Sequence, residues 1–291
     1  MLQAFNNKRR CDVTKSRLGA MSLLALTVFV SLSVVTARTE AASTEAAPNH
    51  PALNDRFAIE LGGFYFRTST QASLSGSSGG AGIAIDFESA LGLEERNWGG
   101  IGGFLWRMSE RWRLEVEYFQ LNRSASRTLA TQVDWGNQSF PIGATVNSTY
   151  DFSDARIGVG YSFFKRPDKE LGVGFGLHMA KIEASIEAAG LGADAADVLA
   201  PLPVLSLYGA FALTNEWAVR MRTDWLSFNY GAYSGGLRSM AFDVLYQPFR
   251  NVGFGLGSRN LVLDVEVDKS SWQGRARTTF SGPTAYVTVT F

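Results

Sequence analysis

The sequence predicts an all-β fold, a closed, antiparallel, up-and-down transmembrane β-barrel of about ten strands. The first observation is the end of the chain, where apolar and polar side chains alternate from Thr284 to Phe291. Such alternation indicates a strand with one apolar face. A strand that ends the chain leaves an open sheet edge unless it pairs with the first strand of a closed barrel. The second observation is that helical periodicity is almost absent after residue 55.

The beginning of the chain has the pattern of an export sequence. Basic residues between Lys8 and Arg17 precede an apolar run from Leu18 to Val35, and the small residue Ala37 follows. This order predicts a secretory signal peptide over residues 1–37. We predict a periplasmic linker over residues 38–55 and the barrel over residues 56–291. A retained membrane anchor is the alternative, because the apolar run is nearly long enough to span a bilayer.

Composition excludes several classes of function. The chain of 291 residues has 27 basic and 27 acidic residues and a formal net charge of zero. Nucleic-acid binding requires a basic field, so we expect no nucleic-acid partner. The single cysteine, Cys11, lies in the predicted signal peptide. We therefore expect no disulfide and no thiolate metal site, and we predict no cofactor.

Alternating segments recur along the rest of the chain and define the predicted strands in order. Ten of them can be counted, at residues 56–70, 98–108, 112–128, 145–164, 171–186, 204–213, 217–230, 237–246, 252–267 and 275–291. Residues 184–199 contain two glycines and are interpreted as a strand end followed by a loop. Segment boundaries are good to a few residues, so eight or twelve strands remain alternatives.

The connections between these segments alternate in length. Short turns are predicted at residues 109–111, 166–169, 214–216 and 248–251, and the connections at 71–97, 132–144, 188–203, 234–236 and 269–274 are mostly longer. Short periplasmic turns and longer surface loops are typical of outer-membrane barrels. An even number of strands would place both ends of the barrel domain in the periplasm.

The terminal strand with its final aromatic residue resembles the C-terminal signature of Gram-negative outer-membrane β-barrels. The resemblance implies an outer-membrane location, with lipid and lipopolysaccharide as surroundings, and it makes Phe291 part of the signal read by the barrel assembly machinery. The stretch Asp86-Phe87-Glu88-Ser89-Ala90-Leu91-Gly92-Leu93 and the Gly-Leu-Gly strand near the end resemble uncharacterised outer-membrane barrel proteins. This second resemblance brings no catalytic motif.

Alternate positions along the strands form two faces, one charged and one apolar. In the third segment, for example, Trp112, Leu114 and Val116 alternate with Arg113 and Glu115. Because charges avoid lipid, we assign the charged face to the barrel interior. The predicted lumen charge network consists of Glu60, Arg107, Arg113, Glu115, Glu117, Asp154, Arg156, Arg220, Arg222, Asp224 and Asp243, and Arg259 lies on the same face.

Tryptophans on the apolar face predict the two membrane interfaces. Trp98 and Trp106, like Trp217 and Trp225, are eight positions apart on one face. Eight residues of a strand span roughly 26 Å, or about 20 Å of height once the strand tilts, which is close to the apolar band of an outer-membrane barrel. The predicted membrane girdle consists of Trp98, Trp106, Trp112, Trp217 and Trp225. A soluble barrel would place its polar residues outside instead.

The charged lumen allows two interpretations. Because buried ions need partners, charges of both signs in a narrow barrel favour a filled interior of paired side chains. The alternative is a polar path for small solutes. The glycine stripes at Gly172, Gly174 and Gly176, and at Gly253, Gly255 and Gly257, could leave space for water or relieve crowding in a curved wall.

An enzymatic function would require a histidine with a suitable catalytic partner. Outer-membrane phospholipases, lipid A deacylases and palmitoyltransferases resemble one another in pairing a histidine with a serine, and omptin proteases use aspartates with a histidine. His178 is the only histidine within the predicted barrel, and no serine neighbours it in sequence. Asp151, Asp154, Asp264 and Asp268 are expected near the loop rim, none with a histidine. General acid-base chemistry needs such partners within hydrogen-bond reach, so we predict no catalytic residue.

The acidic loop residues could bind calcium or bridge lipopolysaccharide through divalent ions. Neither Asp86 to Glu95 nor Asp264 to Asp268 has the spacing of an EF-hand, so solvated acids are expected and no metal site is predicted. The sequence thus predicts an integral barrel of the outer membrane with a structural or surface-interaction role and no catalytic activity. A narrow porin-like channel for small solutes is the alternative, followed by a lipid-modifying hydrolase. The surface ligand is not predicted.

Overall fold

The computed structural model describes residues 47–75, 84–135, 138–231, 233–269 and 272–291. The predicted signal peptide and the first part of the predicted linker lie outside the described residues. Two short helices and thirteen strands follow in the order α1 (Pro51–Asn54), β1 (Phe57–Ser75), β2 (Ile85–Asp86), α2 (Phe87–Leu91), β3 (Arg96–Arg107), β4 (Trp112–Thr128), β5 (Val133–Trp135), β6 (Gln138–Phe140), β7 (Thr145–Arg166), β8 (Lys169–Ala188), β9 (Gly192–Ala212), β10 (Trp217–Tyr230), β11 (Tyr233–Tyr246), β12 (Val252–Lys269) and β13 (Trp272–Thr290).

Ten of these strands form a closed antiparallel barrel, as the sequence predicts. Each long strand pairs with the next long strand along the chain, and β13 pairs with β1 to close the ring. Strands β5 and β6 form a separate small hairpin, and β2 adds to β1. The final residue completes the closure, because Phe57 and Phe291 exchange backbone hydrogen bonds of 2.8 and 3.1 Å. In the described part of the chain no helix is long and apolar enough to cross a membrane.

The two ends of the barrel differ. Both termini of the barrel and the four short turns lie at one end, here called the turn end, and the remaining connections lie at the loop end. Both ends of the barrel domain lie at the turn end, as predicted for an even number of strands, so the resemblance of the terminal strand implies that this end is periplasmic.

Three of the predicted loop-end connections are wrong. Residues 234–236 belong to β11, and β12 and β13 stay paired as far as Lys269 and Trp272. Residues 188–203 are not a long connection, because β8 and β9 continue as a paired hairpin up to Ala188 and Gly192. The three residues between them turn with Gly190 at a φ of 77°. Strand β8 extends this far because its inward side chains are still buried in an apolar core: Ala184, Ile186 and Ala188 are all buried. The sequence did not reveal this extension, because the small residues here alternate too weakly between apolar and polar.

The side chains of the wall exchange their roles partway along the strand, as β7 shows most clearly. In β7 the outward residues are polar up to Ser153 and apolar from Ala155 onward, including the half-exposed Ile157 and Phe163. The inward residues change in the opposite sense, from the buried Phe152 to the buried Asp154. The turn-end half is therefore built for lipid outside and charges inside, whereas the loop-end half is built like a soluble domain.

The apolar outer band is bounded by aromatic residues. Trp98 and Trp225 lie at its loop-side border, and Trp112 and Trp217 lie near the turns, all with more than two fifths of their surface exposed. Trp106 also faces outward near the turn end, half-buried, with its ring 6.2 Å from that of Phe57. The structure thus places the five predicted girdle tryptophans on the outer face of the wall.

Candidate functional site: the filled lumen

The interior of the turn-end half holds ion pairs centred on three acidic side chains, Glu170, Asp224 and Asp243. We call them the Glu170, Asp224 and Asp243 clusters. Each is formed by inward residues of several strands, since only alternate residues of a strand point into a barrel. Every residue of the predicted charge network belongs to these clusters or contacts one of their members.

The Glu170 cluster lies nearest the turns. The Glu170 carboxylate is fully buried and accepts from Arg107 at 2.9 Å, from Arg113 at 3.5 Å and from Lys165 at 3.4 Å. The hydroxyl of Ser162 donates to it at 2.5 Å. The guanidinium of Arg113 also lies 3.2 Å from the ring centre of Tyr208. Three cations around one buried carboxylate supply the partners that a charge in this environment needs.

The Asp224 cluster occupies the middle of the lumen. Asp224 accepts from Arg156 at 3.0 Å and from Arg222 at 3.2 Å, and Ser206 donates a further hydrogen bond to it. Glu115 lies between this cluster and the previous one. It pairs with Arg113 at 2.7 Å, with Arg156 at 3.1 Å and with Arg222 at 3.4 Å. The middle of the lumen is therefore tied to the turn-end layer by a continuous chain of charged contacts.

The Asp243 cluster is formed by residues of β1, β10, β11, β12 and β13. Arg220 binds Glu60 with both ends of its guanidinium, at 2.8 and 3.0 Å, and Asp243 at 3.1 Å. Arg259 donates to Asp243 at 2.7 Å, and the Tyr286 hydroxyl lies 3.0 Å from Arg220. Glu117 pairs with Arg222 at 2.8 Å and lines the same small cavity as Arg220 and Asp243. The space there is about 30 Å³, room for roughly two water molecules.

The cations and the acids of these clusters are equal in number when His178 is neutral. The cations are Arg107, Arg113, Arg156, Lys165, Arg220, Arg222 and Arg259, and the acids are Glu60, Glu115, Glu117, Asp154, Glu170, Asp224 and Asp243. With a neutral His178, these clusters therefore carry no excess charge of either sign.

His178 corrects the expectation that the rim acids lack a histidine. Its Nδ1 atom lies 2.7 Å from Asp154, and its Nε2 atom lies 3.7 Å from Asp224. Asp154 is placed inside the wall rather than at the rim, and both side chains are almost fully buried. Residues 154 and 178 are not directly opposite, since Asp154 is paired with Ala180 in the register. The contact is diagonal, so it could not be read before the register was known.

One glycine in each stripe, Gly172 and Gly255, makes room for an aromatic side chain. A Cβ atom at Gly172 or Gly160 would collide with the ring of Tyr208, and one at Gly255 would collide with Tyr286. Both tyrosines point inward and contact arginines of the clusters. The stripes therefore allow two bulky residues to fill the lumen between charged groups.

The turn end is closed by α1, which the sequence assigned to a linker. Leu53 is fully buried and packs with Ala210, Ala218, Leu245 and Tyr286 inside the barrel. Its carbonyl accepts from Lys165 at 2.5 Å, and the carbonyl of Ala52 accepts from Arg107 at 2.9 Å. The helix is too short to show a periodic pattern, which is why the sequence did not reveal it.

His50 holds the start of this helix. Its Nδ1 atom accepts from the Ala52 amide at 3.0 Å, so the Nε2 proton is available for the Glu216 carbonyl at 3.2 Å. Burial lowers the pKa of His50 below its usual value, although the contact with Glu216 and the charge of Asp55 oppose this effect. The neutral ring is therefore the form that fits the closed turn end.

The loop end is filled by an aromatic core. Phe66, Phe119, Phe152 and Phe280 contact one another with ring centres 4.5 to 6.3 Å apart. The helix α2 folds into this mouth, where Phe87 packs on Tyr150 at 5.8 Å. The buried apolar residues of this core come from β1, β2, α2, β4, the β5–β6 hairpin, β7, β8, β9, β11, β12 and β13, and from the connections after α2 and β4.

Two of the acidic loop residues, Asp86 and Glu88, hold this mouth in place instead of being simply solvated. Asp86 caps α2 by accepting from the Ser89 amide at 2.8 Å. Glu88 pairs with the buried Arg123 at 2.5 Å, and Glu95 pairs with Arg67 at 3.1 Å at the exposed surface. In the described residues no group of three or more histidine, cysteine or acidic side chains could hold a metal ion.

Several members of the lumen were missed in the sequence. Glu170 and Lys165 belong to the Glu170 cluster, but they lie just outside the segments assigned to strands. The alternation along β8 could have identified Glu170, because it lies two and four positions from the inward Gly172 and Gly174 and so points to the same side. The serines and tyrosines of the clusters carried no pattern that distinguishes them from residues of the wall.

No protein-family model and no curated protein sequence matches the chain. A structure of the outer membrane protease OmpT from Escherichia coli is similar, with a TM-score of 0.57 and 11% identity, over 86% of this chain and 100% of that chain. Ail of Yersinia pestis gives a TM-score of 0.32 at 7% identity, over 80% of this chain and 98% of that one. The Pseudomonas putida toluene transporter TodX gives a TM-score of 0.33 at 11% identity, over 84% of this chain and 93% of that one. The last two scores are too low to support comparison in detail.

The closed ring of ten strands, the apolar band and the aromatic borders together define the class. The chain is an outer-membrane β-barrel protein. At this level of identity the similarity to OmpT concerns the fold alone.

Proposed function

We propose that the protein is a sealed barrel of the outer membrane with a structural or surface-interaction role, without catalytic or conducting activity. The observation that carries this proposal is the filling of the lumen in successive layers. Leu53 and α1 close the turn end, the paired charges occupy the middle, and the aromatic core and α2 occupy the loop end. Water and ions would need a continuous path through all three layers to cross.

The position of the histidine supports the absence of catalysis. Asp154, His178, Asp224 and Ser206 come together in the lumen, but each has at most 3% of its surface exposed. The aromatic core lies between them and the loop end, and the Glu170 cluster lies toward the turns. A substrate would have to displace packed side chains before it came within hydrogen-bond reach of the ring.

Single-channel recording in planar bilayers tests the proposal. Wild-type protein is expected to give no steady open-channel current. A variant lacking residues 47–55 is expected to remain silent as well, because the charged and aromatic layers still block the path. Folding of both proteins is checked by the shift in gel mobility between unheated and heated samples. Steady currents from the wild type, or currents that appear when residues 47–55 are removed, would instead support the narrow channel.

A parallel assay tests the catalytic part of the proposal. Purified protein incubated with outer-membrane phospholipid and lipid A is expected to release no fatty acid. Release that disappears in a His178→Asn variant would identify the buried cluster as an active site and overturn this part of the proposal.

A further inference from the structure

Strands β8 and β9 project beyond the neighbouring strand β10. They stay paired as far as Gly192, whereas the pairing of β9 with β10 ends at Leu205 and Trp225. Strand β10 itself ends at Tyr230, which would reach only the level of Ala200 if that register continued. No strand of the described chain pairs with this side of β9 beyond Leu205. The loop-end part of β9 is therefore an open sheet edge.

The open edge presents backbone hydrogen-bonding groups. At the turn end, the Ala212 amide donates to the turn before β8, and the Leu213 amide donates to β10. Backbone groups alternate in direction along an antiparallel strand, and the ladder of β8 and β9 keeps one register throughout. Odd-numbered residues of β9, such as Asp197 and Leu199, therefore point their N–H and C=O groups toward the open side.

Two prolines limit this edge toward the membrane. Pro201 and Pro203 belong to the same odd-numbered set and have no N–H group to donate. Prolines on an edge strand prevent uncontrolled pairing with other strands. The donors on the open side therefore lie in the part of β9 that projects beyond β10, where Asp197 and Leu199 are found.

Exposed apolar side chains surround the same edge. Among the large apolar residues that the described chain exposes, four lie on the loop side of the border tryptophans: Ile142, Leu191, Val198 and Leu199, with 43 to 70% of their surface accessible. They belong to the connection before β7, the turn between β8 and β9, and β9 itself. The wall at this level carries charged side chains, so contact with lipid does not account for their exposure.

The outer face beside the edge is acidic. Asp151 of β7 lies directly opposite Glu183 of β8, which in turn lies directly opposite Asp197 of β9. Like charges in directly opposite positions are unfavourable. Lys181 pairs with Glu183 at 2.6 Å, but one cation cannot neutralise three acids. A positive charge on a further strand beside Asp197 would stabilise this row.

We propose that the projecting edge of β9 docks an extended, basic segment of a protein partner. The segment pairs antiparallel with β9 as one further strand and places a lysine or arginine directly opposite Asp197. Charge complementarity with the acidic row favours this occupant. Two copies of this chain paired edge to edge would bring their acidic rows together, which is unfavourable.

This docking site deepens the proposed surface-interaction role and rests on it. The test uses the folded full-length barrel in a neutral detergent and a labelled synthetic peptide of alternating lysine and valine, with binding followed by fluorescence anisotropy. Wild type is expected to bind the peptide. Because conductance is measured separately, a failure of docking is distinguishable from a lumen that conducts.

Two variants remove the two kinds of contact. Leu199→Pro deletes one N–H group on the open side and leaves the ladder with β8 intact, so it is expected to weaken peptide binding about fivefold. Asp197→Asn removes the charge and is expected to weaken binding about threefold. The matched control is Glu266→Gln, since Glu266 is an exposed acid on β12, away from this edge. Its peptide binding is expected to equal that of wild type.

Modified peptides test the added strand itself. In the proposed pairing the lysine opposite Asp197 uses its own N–H group in the ladder, whereas the N–H groups of the valines face away from β9. A peptide with N-methylated lysines is therefore expected to lose binding, and one with N-methylated valines is expected to keep it.

Three results would contradict docking at this edge: equal binding by wild type and Leu199→Pro, equal binding of the two methylated peptides, or an equal loss in Glu266→Gln. Protein dimers that disappear in Leu199→Pro would identify a second copy as the occupant and would also overturn the proposal. Unheated gel mobility confirms that each variant is folded before it is titrated.

Discussion

Glu170 shows how much one buried charge can matter in a barrel of this width. It has no exposed surface, and three cations depend on it for part of their neutralisation. By contrast, Arg222 contacts three acids, Glu115, Glu117 and Asp224, so it keeps two partners when any one of them is removed. The loss of folding free energy on removing an acid from the lumen therefore depends on how many acidic partners its cations still have, and not on burial alone.

We therefore expect Glu170→Ala and Glu117→Ala to differ in stability. Glu170→Ala is expected to lower the free energy of unfolding by about 3–5 kcal/mol, because it leaves buried cations uncompensated. Glu117→Ala is expected to cost about 1–2 kcal/mol, since Arg222 remains paired. Urea unfolding in lipid vesicles, followed by unheated gel mobility, measures both.

The control for this comparison is Glu95→Ala. Glu95 pairs with Arg67 at the surface, where both side chains are more than half exposed, so its loss is expected to cost less than about 1 kcal/mol. Equal losses for Glu170→Ala and Glu95→Ala would mean that the lumen is hydrated and would contradict the packing of the Glu170 cluster.

At the scale of elements, the two short helices have the same task at opposite ends of the barrel. Each inserts a buried apolar residue, Leu53 in α1 and Phe87 in α2. Each is also fixed by an arginine of the wall, because Arg107 donates to the Ala52 carbonyl of α1 and Arg123 pairs with Glu88 of α2. Neither helix has enough residues to be stable by itself. Their conformation therefore depends on the barrel that they close.

The docking of α1 is expected to weaken in acid. Burial lowers the pKa of His50, so the folded state favours the neutral ring and the unfolded segment binds the proton more readily. The stabilisation is fully present above the ordinary histidine pKa of about 6.5 and is lost as the pH falls through the lower pKa of the docked state. Hydrogen exchange of residues 50–55 is expected to be faster at pH 5 than at pH 7.5, after correction for the intrinsic effect of pH.

His50→Asn is the matched variant for this prediction. Asparagine can still cap the helix through its side-chain oxygen, but it does not titrate. Its corrected exchange is expected to be the same at both pH values. A pH dependence that persists in this variant would show that a group other than His50 controls the docking.

For the whole molecule, closure depends on the seam between β1 and β13. These strands pair from Ala58 and Thr290 up to Ser75 and Gln273, with a gap in the register at residues 65 and 66. Phe291 extends the seam by two backbone hydrogen bonds, and its ring lies 5.4 Å from that of Phe57. The final residue therefore has a role in the folded barrel in addition to the assembly signal that the resemblance implies.

Deleting Phe291 is expected to slow assembly and to leave protease-sensitive protein in the periplasm. The reason is the loss of both the recognition signal and the last contact of the seam. Pulse-chase labelling with unheated gel mobility measures the rate of folding in cells. The control is Phe249→Ala, because Phe249 is an exposed aromatic residue in a turn at the same end, with 62% of its surface accessible. An unchanged rate after deletion of Phe291 would contradict this role.

The sequence by itself determined the ten wall strands in outline and, for their turn-end halves, which face carries the charges, because the period of two along a strand is a local property. It placed Glu117 and Arg222 in the lumen and Trp98 and Trp225 at the border without knowledge of any contact. Only the tertiary structure decided which charges meet, because ion pairs depend on the register and on distances across the barrel. Thus Asp154 meets His178 diagonally on the neighbouring strand, and Arg220 reaches Glu60, 160 residues away in the chain. The closing helices also depend on the completed barrel, since a single turn of helix is stable only where a wall is present to bury it.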